Sequence, residues 1–311
     1  MACHANRCAL ALVYNFYKLP SAQGHHVFEN LIIAHRGGQP LLRDDNNDFP
    51  ENSLAAFKWA SMSLLVDGIE LDTQLSKDYI PMVIHDTWLH QTFDNCHGKV
   101  SDYTCAELKK FLFKRKIVKT DVGTSDLYKT ERILTLEEVI QFLQKTKLKV
   151  VIEIKEVKHL KLMASIIDKF YRQYPFLYER SFCSSFLPIN LYYLRLLNPR
   201  IITGLVYLEQ TTDGLIRVTD DLEKPLPTFV KYNIFFKLVI DNIFRLFATP
   251  LILKLIGTNI ILIQKNGVSG NIINKYRQND IVVAVWCANT KDEKLWFKSQ
   301  GATIITDIPL D

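Results

Sequence analysis

Long uncharged apolar runs, paired cysteines and low-complexity tracts are all missing from this 311-residue chain, and each absence removes a class of protein. Glycine and proline number only 12 and 11 while 48% of residues are hydrophobic, so collagen-like and disordered organisations are excluded and a buried core is expected. The six cysteines, Cys3, Cys8, Cys96, Cys105, Cys183 and Cys287, show neither CxxC pairing nor zinc-ligand spacing with histidine, so free thiols are expected. A net charge of +5 over this length is too weak to mark a nucleic-acid surface, and no nucleic-acid partner is expected. No Asn-x-Ser/Thr acceptor occurs, so glycosylation reports nothing about compartment.

Two segments bear on membranes. Residues 8–17 are uncharged but far shorter than the ~20 residues needed to span, and no small-residue cleavage site follows, so residues 1–30 are read as a separate amino-terminal segment, at most a remnant anchor. Residues 233–264 are rich in Ile, Leu and Phe yet interrupted by Lys237, Asp241, Arg245 and Lys254, with Pro250 and Gly257 inside. That spacing of charge fits an amphipathic surface against a membrane or a partner, with plain core packing as the alternative. A membrane-associated location is therefore expected, with a cytoplasmic one as the alternative.

From residue 31 onward, apolar runs alternate with helical spacing. Strands are predicted at 31–34, 67–75, 80–85, 150–155, 181–186, 201–207, 260–264, 281–286 and 302–306. Helices are predicted at 51–64, with Leu54, Phe57 and Met62 on one side, and at 136–143, 160–174, 190–197 and 293–299. Such alternation predicts parallel strands covered by helices, and a closed (β/α)8 barrel over 31–311 fits the number and shortness of the runs better than an open doubly wound sheet. Two insertions are expected, at 86–132 after the His85 strand and at 208–258 before the Ile260 strand.

Polar residues gather at the ends of these strands, where a parallel barrel builds its active site. His35 and Arg36 follow the first strand, Glu70 and Asp72 end the second, His85 and Asp86 end the next run, and Glu153 and Lys155 end the one after. A spacing of two puts Glu70 with Asp72, and Glu153 with Lys155, on one strand face. Glu70, Asp72 and Glu153 then form a hard-oxygen set suited to Mg²⁺, Ca²⁺ or Mn²⁺. Arg36 and Lys155 beside such an ion would contact phosphate. His35 and His85, from different strands, suit a general acid and a general base working across a phosphodiester.

The strings IAHRGG (33–38), PENSLAAF (50–57), DGIELDTQLSKDYIPMVIHD (67–86) and EIK (153–155) together resemble the glycerophosphodiester phosphodiesterase family, and the resemblance runs to the terminal Thr306-Asp307. It implies a TIM barrel of the phospholipase-C-like phosphodiesterase type and metal-dependent release of glycerol 3-phosphate and an alcohol. It also implies that Glu51 and Asn52 match the family's PEN motif, Asn52 lining or bracing the site, and that Trp286 matches a tryptophan near the glycerol pocket. Within the family, SSFLP (184–188), RIITGLVY (200–207) and the apolar insertion are most similar to a metazoan membrane-associated branch acting on glycerophosphoinositol and glycerophospho-N-acylethanolamines. Departures are Ser53 for the usual Thr, the acidic loop 39–49 with Asp44, Asp45 and Asp48, and Gln91-Thr92-Phe93-Asp94-Asn95 where the family has an Arg-Thr-Thr-Asp-Gly run. Two further readings stand beside the leading one: a lysophospholipase D acting on lysophospholipids, and a noncatalytic membrane adaptor on the same barrel.

Overall fold

The computed structural model describes residues 18–38, 49–114, 130–208 and 234–309. The stretch 8–17, the acidic loop carrying Asp44, Asp45 and Asp48, and part of each predicted insertion lie outside the described residues.

Among the described residues, ten strands form one sheet: β1 (Ile32–Ala34), β2 (Gly68–Leu75), β3 (Pro81–Val83), β4 (Leu134–Thr135), β5 (Lys149–Ile154), β6 (Ser181–Ser185), β7 (Thr203–Tyr207), β8 (Ile260–Gln264), β9 (Val282–Trp286) and β10 (Thr303–Thr306). The order β1-β10-β9-β8-β7-β6-β5-β2, closed by β1 pairing with β2, is a barrel of eight parallel strands. Beside two four-residue helices (Cys105–Leu108 and Leu177–Arg180), the helices among the described residues are α1 (Leu54–Met62), α2 (Leu136–Gln144), α3 (Leu160–Gln173), α4 (Pro188–Leu197), α5 (Ile234–Phe247), α6 (Pro250–Leu255), α7 (Gly270–Arg277) and α8 (Lys291–Ser299). Local chemistry sets several starts: Ser53 caps α1 through the Ala56 amide, and Thr135 with Glu138, and Thr290 with Glu293, make reciprocal capping boxes for α2 and α8.

The run predicted as a strand at 80–85 is not a barrel stave. Its central residues form β3, which pairs antiparallel with both β2 and β4. The cause is the tight turn at 76–80, where Tyr79 takes φ 61° and its amide donates to Ser76 O at 2.9 Å. A parallel return needs a crossover of a dozen or more residues. The hairpin and the following segment have their own small core of Met82, Ile84, Leu89, Phe93, Val100, Leu108, Phe113 and Ile133. In α1 the buried face is Ala56, Phe57 and Ala60, whereas Met62, expected to be inward, is 76% exposed in the last turn.

Strand alternation divides the remaining core in two. Ile69, Leu71, Val150 and Ile152 face outward onto α2 and α3, while Ile33, Val151, Phe182, Leu262, Val282, Ala284 and Ile305 fill the barrel interior. The inner cluster is completed from outside the ring by Ala22 and by Phe28, which sits in a 3₁₀ turn (His25–Phe28) and meets Phe182 edge-on at 5.0 Å. No helix of the described residues is long and apolar enough to cross a membrane. The predicted amphipathic segment is instead α5 and α6, restarted at Thr249-Pro250. Among the described residues, Cys96, Cys105, Cys183 and Cys287 are free thiols, as expected.

Candidate active site

The inner rows of the barrel end, at the carboxyl side of the strands, in polar groups. Register puts Asp72 level with Glu153 and Glu153 level with Ser184. Ala34 is level with Thr306, which brings His35 beside Asp307. Apolar inward residues below these positions, such as Val151 and Phe182, seal the floor.

His35 and Arg36 lie in a tight turn directly after β1, with Arg36 at φ 53° and Gly37 at φ 89°. Close approach of α1 requires the glycine: a Cβ on Gly37 would sit 2.7 Å from Ala56 Cβ. The Arg36 amide donates to Glu70 Oε2 at 3.0 Å, its Nη1 to Glu51 Oε1 at 2.8 Å, and its Nε lies 3.5 Å from Asp72 Oδ2. Asn52 donates from Nδ2 to Asp72 Oδ2 at 3.0 Å, and its own amide donates to Arg36 O at 2.9 Å, so it ties a carboxylate of β2 to the turn after β1.

Glu70, Asp72 and Glu153 converge, each offering an oxygen within 4.8 Å of the others. Lys155 Nζ bridges Glu153 Oε1 at 2.8 Å and Asp72 Oδ1 at 3.3 Å. Burial and the neighbouring Asp72 charge push the Glu70 carboxyl well above its usual range. Asp72 goes the other way: burial opposes its charge, but Lys155, His85 and Arg36 outweigh burial and hold it ionised. The same carboxylates raise Arg36 and Lys155 against the cost of burying them. Glu70 Oε1 is buried with no hydrogen-bond partner among the described residues. An orphaned carboxylate oxygen beside two further carboxylates is a fit for a hard divalent cation, and the cluster can hold one.

Both histidines are fixed at Nδ1. His35 Nδ1 is 2.6 Å from Asp307 Oδ1, and Asp307 Oδ2 accepts from Asn289 Nδ2 at 2.8 Å. His85 Nδ1 is 2.8 Å from Asp86 Oδ1, and Asp86 Oδ2 accepts from Thr92 Oγ1 at 2.8 Å. Carboxylates at Nδ1 place that proton there and leave each Nε2 available. Burial opposes the His35 imidazolium, yet the Asp307 hydrogen bond and the Glu70 charge prevail and raise its pKa. Asp307 is held down at about 2: burial disfavours its charge, and the His35 hydrogen bond overrides that. Gln74 ties the hairpin to β2 by donating from Nε2 to His85 O at 2.9 Å.

His35, Arg36, Asn52, Glu70, Asp72, His85, Glu153, Lys155 and Trp286, the site candidates read from the sequence, all lie at this end of the barrel. Trp286 follows the inner row of β9, packs edge-on to Phe186 at 6.3 Å, and has its buried Nε1 unpartnered among the described residues, as has Ser184 Oγ. Sequence reasoning met Asp307 and Thr92 only as parts of longer stretches and assigned neither them nor Asn289 a role in the site. Asp307 has a signal in hindsight: it continues the inward alternation of Thr303 and Ile305 by one more step.

A family model described as the glycerophosphoryl diester phosphodiesterase family matches residues 35–310. Glycerophosphodiester phosphodiesterase 1 of Homo sapiens is 30% identical over 308 residues, covering 96% of this chain and 85% of that protein. The Mus musculus protein of the same name is 28% identical over 307 residues, with the same coverage of 96% and 85%. Among solved structures, a glycerophosphoryl diester phosphodiesterase from Silicibacter pomeroyi superposes with a TM-score of 0.67 at 16% identity, over 90% of each chain. An Oleispira antarctica phosphodiesterase in complex with the product sn-glycerol-3-phosphate gives 0.65 at 20%, over 91% of this chain and 95% of that one.

Proposed function

We propose a mechanism from one premise: the chain belongs to the glycerophosphoryl diester phosphodiesterase family and is a glycerophosphodiester phosphodiesterase. In the proposed reaction the products are glycerol 3-phosphate and an alcohol. The carrying observation is the convergence of Glu70, Asp72 and Glu153, with an orphaned oxygen on Glu70, between two histidines each fixed by a carboxylate.

Glu70, Asp72 and Glu153 hold the cofactor ion, with Mg²⁺ the preferred choice for an all-carboxylate set and Ca²⁺ or Mn²⁺ the alternatives. When bound, a divalent cation supplies Lewis acidity to a phosphoryl oxygen. Arg36, whose Nε lacks a hydrogen-bond partner among the described residues, and Lys155 bind the remaining phosphoryl oxygens and balance the charge that builds there. One Nε2, of His35 or His85, removes a proton from water as its oxygen attacks phosphorus. The other delivers a proton to the alcohol oxygen as its bond to phosphorus breaks, each step contributing ~10²–10⁴-fold. Asn52 keeps Asp72 oriented, and the Trp286 indole supplies an apolar wall with a free donor for the glycerol moiety. Attack by a glycerol hydroxyl in place of water would give a cyclic phosphate, which a phosphorus-31 NMR time course detects.

The exposed apolar side chains of Val239, Ile243, Leu246 and Leu251 on α5 and α6 favour a second element of the reading, contact with a lipid surface and with it activity on lysophospholipids. Purified protein incubated with glycerophosphoinositol, glycerophosphocholine and a lysophospholipid, with EDTA and with EDTA plus excess Mg²⁺, tests both. The expectation is glycerol 3-phosphate that EDTA abolishes and Mg²⁺ restores. Product formation indifferent to chelation would remove the metal from the mechanism. A lysophospholipid turned over faster than either deacylated substrate would make the enzyme a lysophospholipase D. A folded protein that turns over none of the three would favour the adaptor.

A further inference from the structure

We infer that His25, His26 and Asp280 form a second metal site, selective for a zinc-type ion, at the end of the barrel opposite the active site. His25 and His26 lie in the 3₁₀ turn before β1, and Asp280 in the turn between α7 and β9, so all three sit at the amino ends of the strands. One ligand atom from each lies within 4.8 Å of the others. His26 Nε2 is 2.9 Å from Asp280 Oδ1, and His25 Nε2 is 3.6 Å from the same oxygen. With zinc–ligand distances of about 2.1 Å, these separations correspond to ligand–metal–ligand angles of roughly 90° and 120°.

A second observation is independent of that convergence. His26 Nδ1 is 2.7 Å from Glu29 Oε1, and His25 Nδ1 is 3.2 Å from Ala22 O, closer than the 3.4 Å to Asn259 Nδ2. Both rings thus have an acceptor at Nδ1 and turn Nε2 toward one shared carboxylate, and the Asp280 carbonyl adds a further oxygen 3.1 Å from His25 Nε2. A carboxylate or carbonyl at the far nitrogen is the support that metal-binding histidines generally have, because it fixes the tautomer and ring orientation. His25 is 4% exposed, so one of the three ligands is built into the protein interior. The His26 and Asp280 side chains, 57% and 64% exposed, leave the site open to an entering ion.

Ligand chemistry separates the two ends of the barrel. Two imidazoles with one carboxylate suit Zn²⁺ or Ni²⁺, whereas the carboxylates of Glu70, Asp72 and Glu153 suit Mg²⁺. An ion here would clip the turn that ends in Phe28 to the α7–β9 turn and stabilise the folded chain by mass action.

The test titrates ZnCl₂ into the metal-stripped full chain in excess MgCl₂, by calorimetry and by thermal unfolding, for wild type, His26→Gln, Asp280→Asn and Glu70→Gln. Asparagine suits position 280 because it tolerates the left-handed backbone, φ 62°, found there. The expected result is one zinc per chain and a raised unfolding midpoint in wild type and in Glu70→Gln. Affinity should fall about tenfold or more in His26→Gln and Asp280→Asn, while Mg²⁺-supported hydrolysis by those two stays at the wild-type rate. Absence of the zinc-dependent midpoint shift in wild type, or the same zinc affinity in wild type and both variants, would overturn the assignment.

Discussion

Asp307 and Asp86 do for their histidines what neither histidine can do alone, which is to decide which nitrogen carries the proton. In Asp307→Asn the His35 ring loses a negative charge at 2.6 Å. Its pKa should fall, and whichever limb of the pH–rate profile His35 governs should move to lower pH. Turnover should drop by about 10²-fold or more as the tautomer is no longer enforced. Imidazole NMR titration and a pH series of kcat check both, and an unchanged His35 titration would separate the pair. The acid side follows from Asp307 itself. Its carboxyl is depressed to about 2, so its stabilising ionised form is complete above the usual carboxylate pKa of about 4 and is lost only as pH falls through 2. At this scale the carboxylate set was legible because Glu70 with Asp72, and Glu153 with Lys155, repeat every second residue within recognisable strands. Asp307 was not, because its partners His35 and Asn289 are remote in sequence and spacing does not encode those contacts; Thr92 was not, because its contact with Asp86 spans an irregular segment with no periodicity to read.

Elements place these residues through a few close contacts. Gly37→Ala puts a Cβ at φ 89° against Ala56 Cβ and 3.0 Å from Phe57 Cδ1, both on the buried face of α1. A loss of about 1–3 kcal/mol in urea unfolding is expected, together with a disproportionate loss of turnover because His35 and Arg36 share that turn. Wild-type kcat in a destabilised variant would uncouple α1 from the site. The eight staves were legible from their apolar runs, yet β3 was read as one of them. A short apolar run says nothing about the direction of its partner; the segment 76–80 did, being too short for any parallel return. The end of α1 shows another limit. Met62 continues the apolar spacing, but the helix stops there and leaves it in solvent.

For the molecule as a whole, the barrel interior is closed from below by residues that precede its first strand. Phe28, 1% exposed among Ile33, Phe182 and Ile305, should cost about 3–5 kcal/mol when changed to alanine. Because it lies at the far end from His35, the fraction that remains folded should keep the wild-type kcat. Denaturant melts beside active-site titration check this, and a matching loss of kcat would mean that the two ends communicate. The closed barrel was legible from alternation and chain length, but this floor was not: Phe28 stands outside any periodic segment, and only three-dimensional closure shows what it covers.

The position of β1, between β2 and β10, carries a consequence for biosynthesis. A ribosome delivers β1, β2 and β5 early, and with them Glu70, Asp72 and Glu153. The first stave nevertheless stays without one neighbour until residues 303–306 emerge. Asp307, which completes the His35 pair, arrives with that final stave. A nascent or prematurely terminated chain therefore carries the three carboxylates but neither closes the barrel nor holds the aspartate that pairs with His35, so under the proposed mechanism full turnover is expected only from chains that extend past residue 307.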